Sequence, residues 1–184
     1  MKSSGQPRAT SPTIVVAAPG EHRELLRELT TEYLQWGNGM LEREFNISFD
    51  IAAMIESDMA DLKKFFPPRG RTLLGFVDGQ PAGLACLKEL APSIGEVKRM
   101  YVRPAIRRAG LGRALLERLM HEARGIGYER LRLDSARFMH DAHRLYRAMG
   151  FHEIEPYDGS EITDEYRHRW VFMELSLTQG GEKA

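Results

Sequence analysis

The sequence predicts an α/β domain in which strands and helices follow one another in the order β-α-α-β-β-β-α-β-α-β-β. Two local patterns support this prediction. Between Glu96 and Ala123 the chain changes from a strand pattern to a helical one across Gly110-Leu111-Gly112. Between two short apolar runs, Asp78-Gly79 is typical of a β-hairpin turn. With 184 residues, 42% of them hydrophobic, the chain is expected to form one domain.

Turn residues and periodicity place the individual elements. The predicted elements are, in chain order, strand 13–17, helix 21–36, a helix from Ser48 or Asp50, strands 72–77, 83–87 and 96–102, helix 111–125, strand 130–134, helix 142–149 and strands 151–155 and 170–177. Gly37-Asn38-Gly39 is expected to end the first helix. Pro81 predicts a hairpin loop longer than two residues. Residues 1–12 and 178–184 are expected to be a disordered segment and a flexible tail around a domain at 13–177.

The stretch from Val97 to Leu116 predicts an anion-binding turn. A helix that begins at a glycine-bearing turn presents free backbone N–H groups and the positive end of its dipole, and glycine lets a ligand approach the backbone closely. The stretch has basic residues and no acidic one, in a chain of zero net charge; they are Lys98, Arg99, Arg103, Arg107, Arg108 and Arg113. This local bias favours a phosphate-bearing ligand over a nucleic-acid surface.

Two common phosphate-binding motifs do not fit this turn. A P-loop requires Lys and then Ser or Thr after its second glycine, where the chain has Arg113 and Ala114. A dinucleotide-binding motif requires a third glycine, where the chain has Leu115. Arg107-Arg108-Ala109-Gly110-Leu111-Gly112 instead resembles the Arg/Gln-x-x-Gly-x-Gly/Ala motif of the GNAT superfamily of acetyl-CoA-dependent N-acetyltransferases. The resemblance implies the GNAT fold, a mixed, mostly antiparallel sheet of about six to seven strands with helices on both faces.

The stretch from Met139 to Phe151 resembles a second GNAT motif, Asn-x-x-Ala-x-x-Leu-Tyr-x-x-x-Gly-Phe. The matching residues are Ala142, Leu145, Tyr146, Gly150 and Phe151, and Met139 replaces the Asn. In the family this helix lies along the pantetheine arm and its Tyr points at the sulfur. The resemblance therefore implies that Tyr146 protonates the departing thiolate. The alternative is that Tyr146 is an amphipathic core residue.

A carboxylate is needed as well, because the acceptor amine must lose a proton before it attacks. Several GNAT enzymes place this base at the start of the central strand, where this chain has Glu96. A surface or salt-bridge role is the alternative for Glu96, and Glu153 and Asp134 are further candidates for the base.

The resemblance also implies how acetyl-CoA binds. The N–H groups of 108–114 would bind the pyrophosphate, and the strand edge at 100–102 would pair with the pantetheine amides, with a free N–H near Val102 polarising the thioester carbonyl. The implied cofactor-binding residues are Met100, Tyr101, Val102, Arg107, Arg108, Ala109, Gly110, Leu111, Gly112, Arg113, Ala114, Met139, Ala142 and Tyr146. For the arginines, the alternative is a solvated basic loop.

Other reactive residues point to no further chemistry. His140 and His143 are three apart on a predicted helix, but spacing places no third ligand, so no metal is expected. Cys86 is the single cysteine and lies in an apolar strand, which indicates a reducing compartment and a core residue rather than a nucleophile. The sequence has no membrane-length apolar run and no apolar signal-peptide core, so a cytoplasmic protein is expected.

The acceptor is expected to bind between the segments 36–49 and 156–169. Their acidic residues favour a cationic amine, Arg167, His168 and Arg169 favour a carboxylate, and both segments also suit plain solvated loops. We expect direct transfer of acetyl from acetyl-CoA to the primary amine of a small molecule in a ternary complex. The alternatives are a protein N-acetyltransferase and a non-catalytic acyl-CoA-binding module. No nucleic-acid or membrane partner is expected, and the chain is expected to be a monomer or a homodimer.

Overall fold

The computed structural model describes residues 11–178, so the predictions for residues 1–10 and 179–184 lie outside the described residues. Its centre is a seven-stranded sheet in the order β1-β2-β3-β4-β5-β7-β6. The strands are β1 (Thr13–Val16), β2 (Arg71–Val77), β3 (Gln80–Ala91), β4 (Ile94–Val102), β5 (Arg130–Ala136), β6 (His152–Ile154) and β7 (Trp170–Ser176). All neighbouring pairs are antiparallel except β4 and β5, which are parallel. The predicted mixed sheet is confirmed.

Helices cover both faces of this sheet. They are α1 (Arg23–Phe45), α2 (Ile51–Ala60), α3 (Leu111–Ile126) and α4 (His140–Ala148), with short 3-10 turns at Leu62–Phe65, Pro104–Ile106 and Arg167–Arg169. The buried stripe of α3, which includes Leu115 and Leu119, packs with Leu73, Leu87 and Met173 on one face. On the other face, Leu26 and Leu29 of α1 pack with sheet residues that include Leu74 and Leu84. Successive strand residues alternate between the two faces, as the pleat requires.

The sheet opens between its two parallel strands. The pairing of β4 with β5 covers only Ile94 to Glu96 against Arg130 to Arg132. Beyond these residues β4 continues to Val102 on its β3 side, and β5 continues to Ala136 on its β7 side. The facing edges are therefore free of strand partners over their second halves, which leaves a cleft in the middle of the sheet.

The first helix is longer than the sequence predicts. It does not end at Gly37-Asn38-Gly39 but continues to Phe45, where Asn46 adopts a left-handed conformation (φ 54°) and closes the helix. Glycine in a helix interior costs about 1 kcal/mol relative to alanine. Burial outweighs that cost, because Leu41 and Phe45 pack in a third hydrophobic cluster with Trp170 and the 156–166 segment. Tertiary packing thus overrides the local signal.

The hairpin also departs from its prediction. Val77 pairs directly with Gln80, so its loop is the two residues Asp78 and Gly79, both with positive φ (52° and 73°). Such a tight turn matches the twist of the flanking strands. Pro81 lies inside β3 at a register shift opposite Phe76, where a missing N–H is tolerated.

Candidate active site

The backbone between β4 and α3 forms the turn that the sequence predicts. Arg108 and Gly110 have positive φ values (71° and 84°), and α3 begins at Leu111. Ala114 is the first helical residue whose N–H bonds back, to the carbonyl of Gly110. The N–H groups of the three preceding helical residues therefore have no helical acceptor. Together with the helix dipole, they form a surface suited to an anion.

The two glycines of this turn have different surroundings. A Cβ on Gly110 would meet no atom within 4 Å, but the left-handed backbone there disfavours any other residue. A Cβ on Gly112 would lie 3.5 Å from Leu145, 3.8 Å from Val102 and 3.9 Å from Met100. Gly112 thus brings the start of α3 close to the end of β4 and to α4.

The basic residues of the stretch do not all point at this turn. Lys98 and Arg99 pair with buried carboxylates, and Arg103 pairs with Glu28 and Glu32 of α1. Their inclusion in the phosphate-binding charge is therefore corrected. The guanidinium carbon of Arg107 lies 4.4 Å from the ring centroid of Trp36, and its Nε donates to the Val102 carbonyl (3.1 Å).

Among the other basic side chains of the turn, Arg113 contacts the sulfur of Met149 (3.0 Å) and Glu117 (3.6 Å). The exposed side chain of Arg108 forms no ion pair among residues 11–178. Among the described residues, the charge that remains at the turn without a carboxylate partner is therefore that of Arg107, Arg108 and the helix start.

A bulge in β4 decides which side chains face the cleft from each side. Cys86 pairs with Lys98 and Leu84 with Tyr101, so Arg99 and Met100 are opposite the single residue Ala85. Arg99 has a positive φ of 51° there. Consequently Lys98, Arg99 and Tyr101 lie on the α1 face, whereas Met100 packs on the α3 face.

Tyr146 extends from α4 into the same region. Its side chain is buried and lies 5.9 Å from Phe151, ring centroid to ring centroid. Burial raises the pKa of the Tyr146 hydroxyl, and the nearby Tyr33 and Asp134 raise it further. Burial likewise raises the pKa of Tyr33, which Arg99 and Lys98 oppose. The Tyr146 hydroxyl of α4 is therefore within electrostatic range of Tyr33 of α1 and Asp134 of β5.

Two further predicted cofactor residues lie along α4. Met139 immediately precedes the helix, and its sulfur accepts a weak hydrogen bond from Ser135 Oγ (3.5 Å). Ala142 is partly buried against the α3-side cluster. Ala142 thus shares the hydrophobic cluster of Tyr146, whereas Met139 packs in the third cluster with Phe45 and Trp170.

Glu96 occupies a closed environment. Its exposed fraction is 0%. Tyr157 Oη donates a hydrogen bond to Glu96 Oε1 (3.0 Å), and Lys88 Nζ lies 3.0 Å from Oε2. Lys98 Nζ is 3.7 Å from Oε1. Glu96 is thus a buried, ion-paired carboxylate. Asp134 lies two residues beyond Arg132, where β5 has separated from β4.

A network of buried charges surrounds Glu96 on the α1 face. Lys98 Nζ contacts Asp134 (3.0 Å) and Glu161 (3.4 Å). Arg99 makes a bidentate pair with Asp58 of α2 (2.7 and 2.9 Å) and also contacts Glu161 (3.0 Å). Sequence reasoning missed Asp58, Lys88 and Tyr33, which come from separate segments without a motif. The single signal was for Lys88, a basic residue inside an otherwise apolar strand.

The remaining candidate residues support no metal chemistry. His143 is buried with Nε2 3.1 Å from Ser135 Oγ, and burial, Arg147 and His140 lower its pKa. Within residues 11–178, no group of three or more His, Cys, Asp or Glu side chains is arranged to hold a metal ion.

Burial raises the pKa of Cys86 to about 12, as suits a core thiol. None of the helices in that range has the length and apolarity needed to cross a membrane.

Comparison with known proteins agrees with this geometry. The sequence model described as the acetyltransferase (GNAT) family matches residues 24–151. An uncharacterized N-acetyltransferase of Schizosaccharomyces pombe is 29% identical over 160 residues, which cover 82% of this chain and 86% of that protein.

Two solved structures share the fold. A GNAT-family acetyltransferase from Staphylococcus aureus aligns with a TM-score of 0.69 at 18% identity, covering 91% of this chain and 100% of that one. The PaiA N-acetyltransferase of Thermoplasma acidophilum, solved in complex with coenzyme A, aligns with a TM-score of 0.68 at 20% identity, covering 90% of this chain and 99% of that one.

Proposed function

The chain belongs to the GNAT acetyltransferase family of acetyl-CoA-dependent enzymes, and from that premise we propose that it transfers acetyl to the primary amine of a small molecule by direct transfer in a ternary complex. The observation that carries this proposal is the cleft where β4 separates from β5, beside a helix start with free N–H groups. This helix start packs near Val102 of β4 and Leu145 of α4, the helix that carries Tyr146. A nucleophilic acyl-enzyme is disfavoured because Cys86 is buried and its thiol pKa is raised to about 12.

In this proposal the cofactor binds along the α3 side of the cleft. The N–H groups of 108–114 bind the pyrophosphate, and the exposed Arg108 side chain adds charge. The free edge of β4 at 100–102 pairs with the pantetheine amides, as a strand would. Ala142 and Met139 border the arm from α4. The coenzyme A complex of the Thermoplasma acidophilum neighbour supports an acyl-CoA in a site of this fold.

The reaction then needs one proton removed and one supplied. The amine nitrogen forms a bond to the acetyl carbon while the carbon–sulfur bond breaks and its electron pair goes to sulfur. Tyr146 is proposed to give its proton to that thiolate, directly or through water. Because burial raises the pKa of Tyr146, this hydroxyl stays protonated at neutral pH and is able to donate.

For proton removal from the amine, the structure leaves two carboxylates to compare. Glu96 is fully buried and held by Tyr157 and Lys88, which favours a role in holding Lys98 and Tyr157. Asp134 lies beyond the last residue of β5 that pairs with β4, and within electrostatic range of Tyr146 and Tyr33. We favour Asp134 as the proton acceptor, with Glu96 as the second candidate.

A cytoplasmic location and a monomeric or dimeric state belong to the same proposal. The buried free thiol of Cys86 suits a reducing compartment.

Calorimetric titration with acetyl-CoA tests the proposal first, and separate titrations with NADH and ATP are the controls. Selective binding of acetyl-CoA is expected. A panel of primary amines is then assayed by thiol release. Absence of acetyl-CoA binding by a folded sample would contradict the proposed function. Binding without any thiol release would favour the non-catalytic acyl-CoA-binding alternative.

A further inference from the structure

The last residue of the free β4 edge is Val102, and its backbone groups face the cleft. The N–H of Arg103 donates to the Ala82 carbonyl (2.9 Å), and a Cβ on Gly83 would collide with the Tyr101 carbonyl. The backbone groups of the residues on either side of Val102 therefore face β3. Because backbone groups of successive strand residues point to opposite edges, the N–H and carbonyl of Val102 face the edge from which β5 has separated.

A side chain from the following turn already binds this carbonyl. Arg107 Nε donates to the Val102 oxygen (3.1 Å), and the guanidinium carbon lies 4.4 Å from the ring centroid of Trp36 of α1. Arg107 thus connects the end of the free β4 edge to α1. One hydrogen bond to a neutral carbonyl and one cation–π contact of an exposed arginine are weak interactions, so this arrangement is easily exchanged for another.

The start of α3 lies next to the same residue. A Cβ on Gly112 would lie 3.8 Å from Val102 Cγ2, so the helix start and the Arg107 side chain are both neighbours of Val102. Arg107 forms no ion pair within residues 11–178. A guanidinium gains more from charge-assisted hydrogen bonds to a phosphate than from a carbonyl and a ring. A pyrophosphate bound at the helix start would therefore draw Arg107 away from the Val102 carbonyl.

The proposed pantetheine arm needs the carbonyl that Arg107 binds. An extended ligand that pairs with a strand edge uses the outward N–H and carbonyl groups of that edge. At Val102 such a ligand must donate to the carbonyl from the cleft side, where Arg107 now donates to it. Departure of Arg107 and pairing of the arm at this residue are therefore linked.

We propose that Arg107 has two alternative partners: the Val102 carbonyl with Trp36, and the pyrophosphate of the acyl-CoA. When the pyrophosphate binds Arg107, an amide N–H of the pantetheine arm takes over the Val102 carbonyl. Trp36 is then a positioning residue, because it acts on the cofactor only through Arg107. This inference rests on the proposed acyl-CoA site. Its consequence is specificity, since the exchange selects CoA thioesters against thioesters that have the pantetheine arm but no pyrophosphate.

The first experiment compares two ligands that share the pantetheine arm, acetyl-CoA and S-acetylpantetheine, on wild type and Arg107→Met. S-acetylpantetheine should bind the variant about threefold more tightly, because the competing hydrogen bond is gone and this ligand has no phosphate to lose. Acetyl-CoA should bind the variant about tenfold more weakly, because the charged contact to the pyrophosphate is lost. Calorimetry measures acetyl-CoA, and ligand-observed NMR titration measures the weaker S-acetylpantetheine.

The control and the contrary outcomes are equally specific. Arg118→Met is the matched control, since Arg118 is an exposed arginine of α3 that pairs with Glu122 (2.8 Å), and both affinities should keep their wild-type values. A loss of affinity for both ligands in Arg107→Met would show that Arg107 only holds β4 in place, and would overturn the exchange. Unchanged or undetectable binding of S-acetylpantetheine to that variant would also overturn it, because the Val102 carbonyl would then not be contested.

A second experiment tests the positioning role of Trp36. Trp36→Leu removes the ring and keeps an apolar side chain, so Arg107 is held less firmly and both ligands should bind about threefold more tightly. Trp36→Phe keeps a ring face and should restore most of the wild-type affinity. Thermal melts confirm that both variants are folded. Unchanged or weaker binding of both ligands to a folded Trp36→Leu variant would overturn this role.

The outcomes separate this inference from the proposed function. If acetyl-CoA binds wild type and Arg107→Met equally well, the exchange is wrong while the proposed function stands. If acetyl-CoA does not bind the wild-type protein, the proposed function and this inference both fall.

Discussion

The two sides of the cleft between β4 and β5 are formed by different kinds of groups. On the α3 side, the groups proposed to bind the cofactor are mostly backbone atoms between Met100 and Ala114, contiguous in the chain. On the α1 side, Asp58, Lys88, Arg99 and Glu161 come from α2, β3, β4 and the loop before β7, and their contacts are between charged side chains. A contiguous backbone motif is readable in the sequence, whereas a set of side chains assembled by the fold is not.

This contrast predicts that the acceptor side is vulnerable to loss of a single charge. Asp58→Ala leaves the guanidinium of Arg99 buried without its bidentate partner, so the free energy of unfolding should fall by about 3–5 kcal/mol. Urea unfolding at neutral pH measures the change. Glu56→Ala, on the same helix in an exposed pair with Arg27, should cost less than about 1 kcal/mol. Equal effects of the two variants would contradict a buried network.

The cofactor side should instead respond to changes of its backbone turn. Gly110→Asp places a negative side chain at the helix start on a left-handed backbone, so acetyl-CoA affinity should fall by at least about a hundredfold, or about 2.7 kcal/mol. Calorimetric titration measures it. Gly79→Asp has a comparable backbone strain (φ 73°) at the tip of the hairpin, where a Cβ would meet no atom within 4 Å, and should keep wild-type affinity. Retained affinity in Gly110→Asp would remove the turn from the cofactor site.

Between the two sides lies the proposed acid. Tyr146→Phe should lower kcat by about 10- to 100-fold and leave the affinity for acetyl-CoA unchanged, because it removes one transferable proton and little packing. Single-turnover thiol release is the measurement. Tyr128→Phe is the control: its hydroxyl donates to the Arg69 carbonyl (2.7 Å) away from the cleft, and its rate should stay at the wild-type value. An unchanged rate in Tyr146→Phe would remove this hydroxyl from the mechanism.

The charge cluster also predicts a pH dependence on the acceptor side. Burial acts to raise the pKa of Glu161, but Lys98, Arg99 and Lys88 outweigh it and lower the pKa to about 2. Because the folded-state pKa is depressed, the stability that ionised Glu161 contributes is complete above its ordinary value and is lost as the pH falls through the folded pKa. The stability difference between wild type and Glu161→Gln should therefore be constant from about pH 7 to 5 and shrink towards about pH 2. Urea titrations across this range would show it, and a pH-independent difference would contradict the pairing.

The smallest expected effect tests whether α1 continues through Gly37. A Cβ on Gly37 would meet no atom within 4 Å, so Gly37→Ala should raise the free energy of unfolding by about 0.5–1 kcal/mol if α1 is continuous there. The same change at Gly127, which has a φ of 96° after α3, should be destabilising. Thermal melts compare the two. No gain at Gly37 would favour the shorter helix that the sequence predicts.

Most of the fold was predictable because its signals are local. Asp78-Gly79 and the apolar stripe of α3 specify a hairpin and a helix by themselves, and Gly150, with a φ of 94°, follows α4 as expected. The end of α1 was not predictable, because the burial of Phe45 against Trp170 is invisible until distant segments meet. The roles of Lys98 and Arg99 were misjudged because the β4 bulge changes which face they occupy.

By itself, the sequence determined the order of elements, the glycine turn at Gly110 and the place of Tyr146 on its helix, since backbone conformation and periodicity depend on neighbouring residues. Only the tertiary structure decided that β4 and β5 part after Glu96, that this carboxylate is buried, and that Glu161 meets three cations. These features depend on burial and on distances between remote segments. Such distances set the energies of charged groups, and one sequence does not contain them.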